Sequence, residues 1–194
     1  MLKELAWRFE AISSFITSKT PLLTKETANS AMTDGAYSTE KIKKEMMKEF
    51  IDFYSQNIDR GSKPINGVME FLKWAKTKNI SMAVCTNKQE RLAVDLLKKL
   101  KMYEYFEYVA GSDTFPFNKP DPRHLTDVVE IIQGNLKKTI MVGDSEVDEM
   151  SAKNAKIPFV LVKNGYTEKS TKEIKHDELI EDFKNFDKVI EKYL

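Results

Sequence analysis

Few residues in this sequence are reserved for special chemistry by type alone. A single cysteine, Cys85, stands in 194 residues. That excludes an intrachain disulfide framework and fits a reducing cytoplasm. The two histidines, His124 on a helix face and His176 in a polar tail, have no partner at zinc-ligand spacing and read as surface residues. Neither sign of charge dominates: Lys+Arg number 31 and Asp+Glu 30, for a net charge of +1, so no basic field argues for nucleic acid. The seven glycines form no G-x-G-x-x-G turn, which removes the dinucleotide-binding signature. No apolar run is long enough to cross a membrane, and the opening residues MLKELAWRFE are too charged for a signal peptide. Internal repeats and low-complexity tracts are absent too.

What is present is an ordinary globular balance, 41% hydrophobic and 31% charged. Apolar residues at Leu2, Leu5, Ala6, Phe9, Ile12, Phe15 and Ile16 predict a helix over 2–16. A polar stretch follows, and Ile42, Met46, Phe50, Phe53, Tyr54 and Ile58 predict a second helix over 39–58. From Pro64 the pattern changes. Helices are predicted over 68–77, 89–100 and 121–132, and strands over 80–85, 106–110, 139–142 and 159–162. A terminal helix carries Phe183, Phe186, Val189 and Ile190, after a short strand near Leu179-Ile180. Strands alternating with helices give an α/β fold with a doubly wound parallel sheet. The all-helical first third reads as a small cap, residues 1–62, beside a core of residues 63–194.

Chemistry concentrates where strands end. In Thr139–Ala155, TIMVGDSEVDEMSAKNA, an apolar strand stops at Gly143 and Asp144 opens the turn. Asp148 lies one helical turn on, on the same side. Two carboxylates there suit a hard cation such as Mg²⁺; Asp144 as a plain helix cap is the competing reading. Thr86-Asn87 follows another strand and opens a helix, so a hydroxyl, an amide and free N–H groups could cradle an anion, or simply cap the helix. In Asn118-Lys119-Pro120-Asp121-Pro122 the prolines hold Lys119 on a stiff segment, with Asp121 and Pro122 placed to start the next helix. Lys119 could neutralise a phosphate or pair with Asp144. Cys85, inside its strand, reads as a buried small hydrophobe.

Hydroxyl and amide, lysine, then two aspartates, each after a strand and in that order, resemble the haloacid dehalogenase-like hydrolases, and within them the phosphoglycolate phosphatase group. Thr86-Asn87, Lys119 in NKPDP, and Asp144 with Asp148 match that family's second, third and fourth motifs. Pro64–Val68, Gly111–Thr114 and Asn164–Tyr166 fit as well, and Met32–Ala36 resembles the loop by which the cap faces substrate. The resemblance implies a Mg²⁺-dependent phosphatase with a Rossmann-like core, acting on a small phosphorylated metabolite through an aspartyl-phosphate. Thr86, Asn87 and Lys119 would hold phosphate, Asp144 would bind Mg²⁺, and Asp148 would support the metal directly or through water.

One motif of the family is absent. No D-x-D occurs anywhere in the chain, so the nucleophile and general acid are missing, together with the strand they end. Asp34-Gly35 lacks the second aspartate and is no substitute. The expected architecture therefore lacks its first, central strand, about ten to fifteen residues. An N-terminally truncated enzyme is the favoured explanation; an inactive phosphate- or partner-binding relative, or a sheet whose flanking strands have closed the gap, are the alternatives. Lys156 stands where the family usually has glycine.

Overall fold

The computed structural model describes residues 62–163 and 170–193, and the backbone of residues 6–9. The remainder of the expected cap, the Met32–Ala36 loop and Asn164–Tyr166 lie outside the described residues. Six parallel strands form one sheet in the order β3-β2-β1-β4-β5-β6. They are β1 (Ala6–Phe9), β2 (Ser81–Cys85), β3 (Tyr108–Ala110), β4 (Ile140–Gly143), β5 (Phe159–Val162) and β6 (Glu178–Ile180). Among the described residues the α-helices are α1 (Val68–Thr77), α2 (Glu90–Lys99), α3 (Arg123–Ile131), α4 (Glu146–Ala155) and α5 (Phe186–Ile190). This is the doubly wound α/β core the sequence predicts.

The central strand corrects two expectations. Residues 6–9, assigned to a helix, form β1, and the strand taken as missing has its place filled. Phe9 is level with Val84 on one side and Val142 on the other. An empty slot there would leave unpaired N–H and C=O groups on both neighbouring strands. An extended Ala-Trp-Arg-Phe segment satisfies both ladders at once, which outweighs a helical stripe that its own sequence only weakly specifies.

Period-two alternation divides the core into two layers. Met82, Val84, Ile140, Val142, Val160 and Val162 point to one face, against the apolar stripes of α1, α2 and α5. Ala83, Cys85, Ala110, Met141, Phe159 and Leu161 point to the other, against Leu125 and Val128 of α3 and Ala152 of α4. The second face mixes the small Ala83, Cys85 and Ala110 with the larger Met141, Phe159 and Leu161. Strand order reverses at β1, which makes the carboxyl ends of β2 and β4 the two walls of a topological switch point.

Candidate active site

β2 delivers Thr86. Its N–H continues the ladder to the Ala110 carbonyl at 2.9 Å, and its hydroxyl accepts from the Lys88 N–H at 3.1 Å. The turn is thereby closed by a side chain that is itself buried. At the N-terminus of α2 behind it, the first N–H is already occupied. The Glu90 N–H donates to Asp113 Oδ1 at 2.8 Å, and the Thr114 hydroxyl donates to Glu90 Oε2 at 2.6 Å. A carboxylate from the β3 loop thus caps the helix that its own Gln89 leaves uncapped. Gly111 makes this approach possible, since an added Cβ would stand 2.1 Å from the Glu90 nitrogen.

Lys119 is only 5% exposed although it lies on a loop. Its Nζ sits 3.1 Å from Asp148 Oδ1, a buried ion pair, and it also feels the negative charge of Asp144. Beyond it, Asp121 Oδ1 accepts from the Arg123 N–H at 2.9 Å, starting α3 as its position before Pro122 suggests. The same carboxylate grips the Arg123 guanidinium at 2.7 Å, and these hydrogen bonds lower the Asp121 carboxyl to about 2.

β4 ends at Gly143 because nothing larger fits: a Cβ there would stand 2.5 Å from both Cβ and Oδ2 of Asp148. Asp148 is the third residue of α4, and its Oδ2 accepts from the N–H groups of Asp144 at 2.9 Å and Ser145 at 3.1 Å. The carboxylate therefore folds the Asp144 turn with one oxygen and holds Lys119 with the other. Burial pushes the Asp148 carboxyl up to about 7, opposed by those two N–H bonds. Burial also holds the Lys119 ammonium well below its ordinary value, opposed by the negative charge of Asp144. Thr86, Lys119, Asp144 and Asp148, from three segments far apart in sequence, are all 5% exposed or less at this rim.

The haloacid dehalogenase-like hydrolase family matches residues 12–162. The chain belongs to this family. Among curated relatives, it is 39% identical to the phosphoglycolate phosphatase of Mesorhizobium japonicum and 41% identical to that of Agrobacterium fabrum. Each match covers 71% of this chain, and 61% and 59% of the relatives. The chain thus spans about three fifths of the length of these relatives. The same fold occurs in the crystal structure of a predicted phosphoglycolate phosphatase from Haemophilus somnus, with a TM-score of 0.82, 20% identity, and coverage of 97% of this chain and 98% of that one. It also occurs in CbbY from Rhodobacter sphaeroides, crystallised in complex with phosphate, with a TM-score of 0.69, 17% identity and coverage of 93% and 95%. The family match begins after β1, so the central strand here is built from sequence outside the matched region.

For a member of this family, the donor set bears on the metal question. Asp144 brings hard carboxylate oxygens to the rim, while both oxygens of Asp148 already serve backbone N–H groups and Lys119. No group of three His, Cys, Asp or Glu converges on a metal position among the described residues. One carboxylate still fits Mg²⁺, which keeps several waters and binds through one or two carboxylates plus phosphate oxygens. The histidines divide. His176 is exposed as expected, but His124 is fully buried, its Nε2 3.1 Å from the Gly111 carbonyl and its ring edge-on to Phe115. Its spacing four residues before Val128 was the available signal, because it puts the imidazole on the apolar face of α3. Sequence reasoning also missed Asp113, whose partner Glu90 is remote in sequence.

Proposed function

We propose that this rim binds Mg²⁺ and a small phosphomonoester, 2-phosphoglycolate being the first candidate, and that it is the phosphoryl-binding half of a phosphatase site. The convergence of Thr86, Lys119, Asp144 and Asp148 at the switch point carries the reading. In it, Thr86 and Asn87 face phosphate oxygens and Lys119 offsets their negative charge. Asp144 is the direct ligand to the cation. Asp148 shapes the turn that presents Asp144 and orients the Lys119 ammonium, supporting the metal from one position back. When bound, Mg²⁺ would neutralise phosphate charge and polarise the phosphoryl group. The buried setting strengthens each of these attractions, because water screens them less.

The family reaction passes the phosphoryl group to an aspartate in D-x-D, and these 194 residues contain no such motif. These 194 residues by themselves are therefore expected to bind the phosphomonoester without turning it over. Titration calorimetry with 2-phosphoglycolate, with and without Mg²⁺, tests both halves. Mg²⁺ is expected to tighten binding in the parent and to have no effect in Asp144→Asn. Mg²⁺-independent binding would overturn the metal assignment, and release of inorganic phosphate from 2-phosphoglycolate would overturn the expected absence of turnover.

A further inference from the structure

The lysine loop is unusual in how it is held. Pro120 and Pro122 have no N–H to donate, so the segment around Lys119 must be anchored largely through its carbonyls. Two consecutive carbonyls are gripped by side-chain amides from opposite walls of the site. Asn87 Nδ2, at the end of β2, donates to the Lys119 carbonyl at 3.1 Å. Asn154 Nδ2, in the last turn of α4, donates to the Pro120 carbonyl at 3.4 Å. The other end of Lys119 is fixed by its ammonium against Asp148 Oδ1 at 3.1 Å. Lys119 is thus held at its backbone by an amide in the turn after β2 and at its ammonium by a carboxylate at the start of α4.

We propose that Asn87 and Asn154 are positioning residues: together they clamp the Lys119–Pro120 backbone and so set where the Lys119 ammonium meets a bound phosphoryl group. This rests on the proposed anion site but changes the part Asn87 plays in it. The amide has two N–H donors and one carbonyl oxygen, and one donor is committed to the lysine loop. Asn87 therefore acts chiefly through Lys119. Asn87 is exposed and Asn154 is exposed, so truncating either removes a tether without opening the core. Asn87 carries the larger share, since its bond is shorter and reaches the lysine's own carbonyl.

A double-mutant cycle separates this from direct ligation. Inorganic phosphate, in the presence of Mg²⁺, is titrated into the parent, Asn87→Ala, Lys119→Met and the double variant. Asn87→Ala is expected to weaken binding about fivefold in the parent and less than about twofold when Lys119 is already replaced, as loss of one tether acting through one partner requires. Equal fold losses in both backgrounds would show that Asn87 contacts the anion itself and would overturn the proposal. A second arm needs neither phosphate nor the Lys119 variant. The side-chain 13Cε resonance of Lys119, followed at fixed pH in the ligand-free full chain, should shift in Asn87→Ala and, by less, in Asn154→Ala. An unmoved resonance in both variants sinks the clamp. Should the parent fail to bind phosphate, the functional reading fails, and the Lys119 resonance still decides the clamp.

Discussion

Asp148 shows how one side chain can fix the geometry of a whole rim. Its Oδ2 takes two backbone N–H groups, its Oδ1 takes Lys119, and Gly143 makes room for it. Gly143→Ala would drive a methyl into the carboxylate, and overpacking of this kind costs about 1 to 3 kcal/mol. Urea unfolding should show that loss, accompanied by shifted amide resonances at Asp144 and Ser145; unchanged amides would mean the turn relaxes without consequence. Asp121 offers a cleaner electrostatic test. Hydrogen bonds from Arg123 lower its folded-state pKa to about 2, so its contribution to stability is present above the ordinary carboxylate range and is lost as pH falls toward 2. Titration of the Asp121 carboxyl by NMR should give a midpoint near that value, rising in Arg123→Ala but staying below the ordinary carboxylate range, because the backbone N–H of residue 123 still donates to it. At this scale the sequence singled out Thr86, Lys119, Asp144 and Asp148, and the fold buries all four, their chemical roles being those proposed above. The sequence was unreadable where a partner comes from another loop, as with the Asn87 amide on Lys119 and Asp113 on Glu90.

At the scale of elements, helices were more legible than strand ends. The span 68–77 was predicted as observed, because Val68, Phe71, Leu72 and Ala75 fall on one stripe and all are buried. The expected strand over 106–110 shrinks to β3 because Tyr103–Tyr105 forms a 3-10 turn and Phe106 packs into the core before pairing begins. Helix α4 closes at Lys156, whose φ of 57° and ψ of 42° lie in the left-handed region. The departure from glycine noted in the sequence thus falls on a position where glycine is favoured. Lys156→Gly removes a Cβ penalty of about 1 to 2 kcal/mol, partly offset by the greater freedom of the unfolded chain. A net gain of about 0.5 to 1 kcal/mol should appear in denaturant unfolding, and a loss would show that the lysine side chain contributes contacts of its own.

The sheet as a whole depends on its shortest sequence argument. The helical stripe over 2–16 mixed apolar residues with charged ones, and a stripe of that length is a marginal helix by itself. What it could not reveal is that two later strands leave a slot between them, a property of the assembled sheet and not of the local residues. Arg8 lies between Ala83 and Met141 in the ladders. Arg8→Pro, which cannot donate to either, is expected to destabilise the fold by on the order of 3 kcal/mol. Hydrogen exchange should accelerate most at Met82–Cys85 and Ile140–Val142; unchanged protection there would show that β2 and β4 hold without β1.

That placement also bears on the order of events during synthesis. Strand β1 leaves the ribosome before either neighbour, since its two ladders lie in residues 81–84 and 140–142. Such non-local pairing closes long loops before it is rewarded, so it is slow and leaves an apolar segment waiting. Thr86 and Asp144 therefore reach their working separation only after most of the chain has been made. Until then the nascent protein carries an unpaired central strand, which is the condition under which chaperone engagement or misassembly is most favoured.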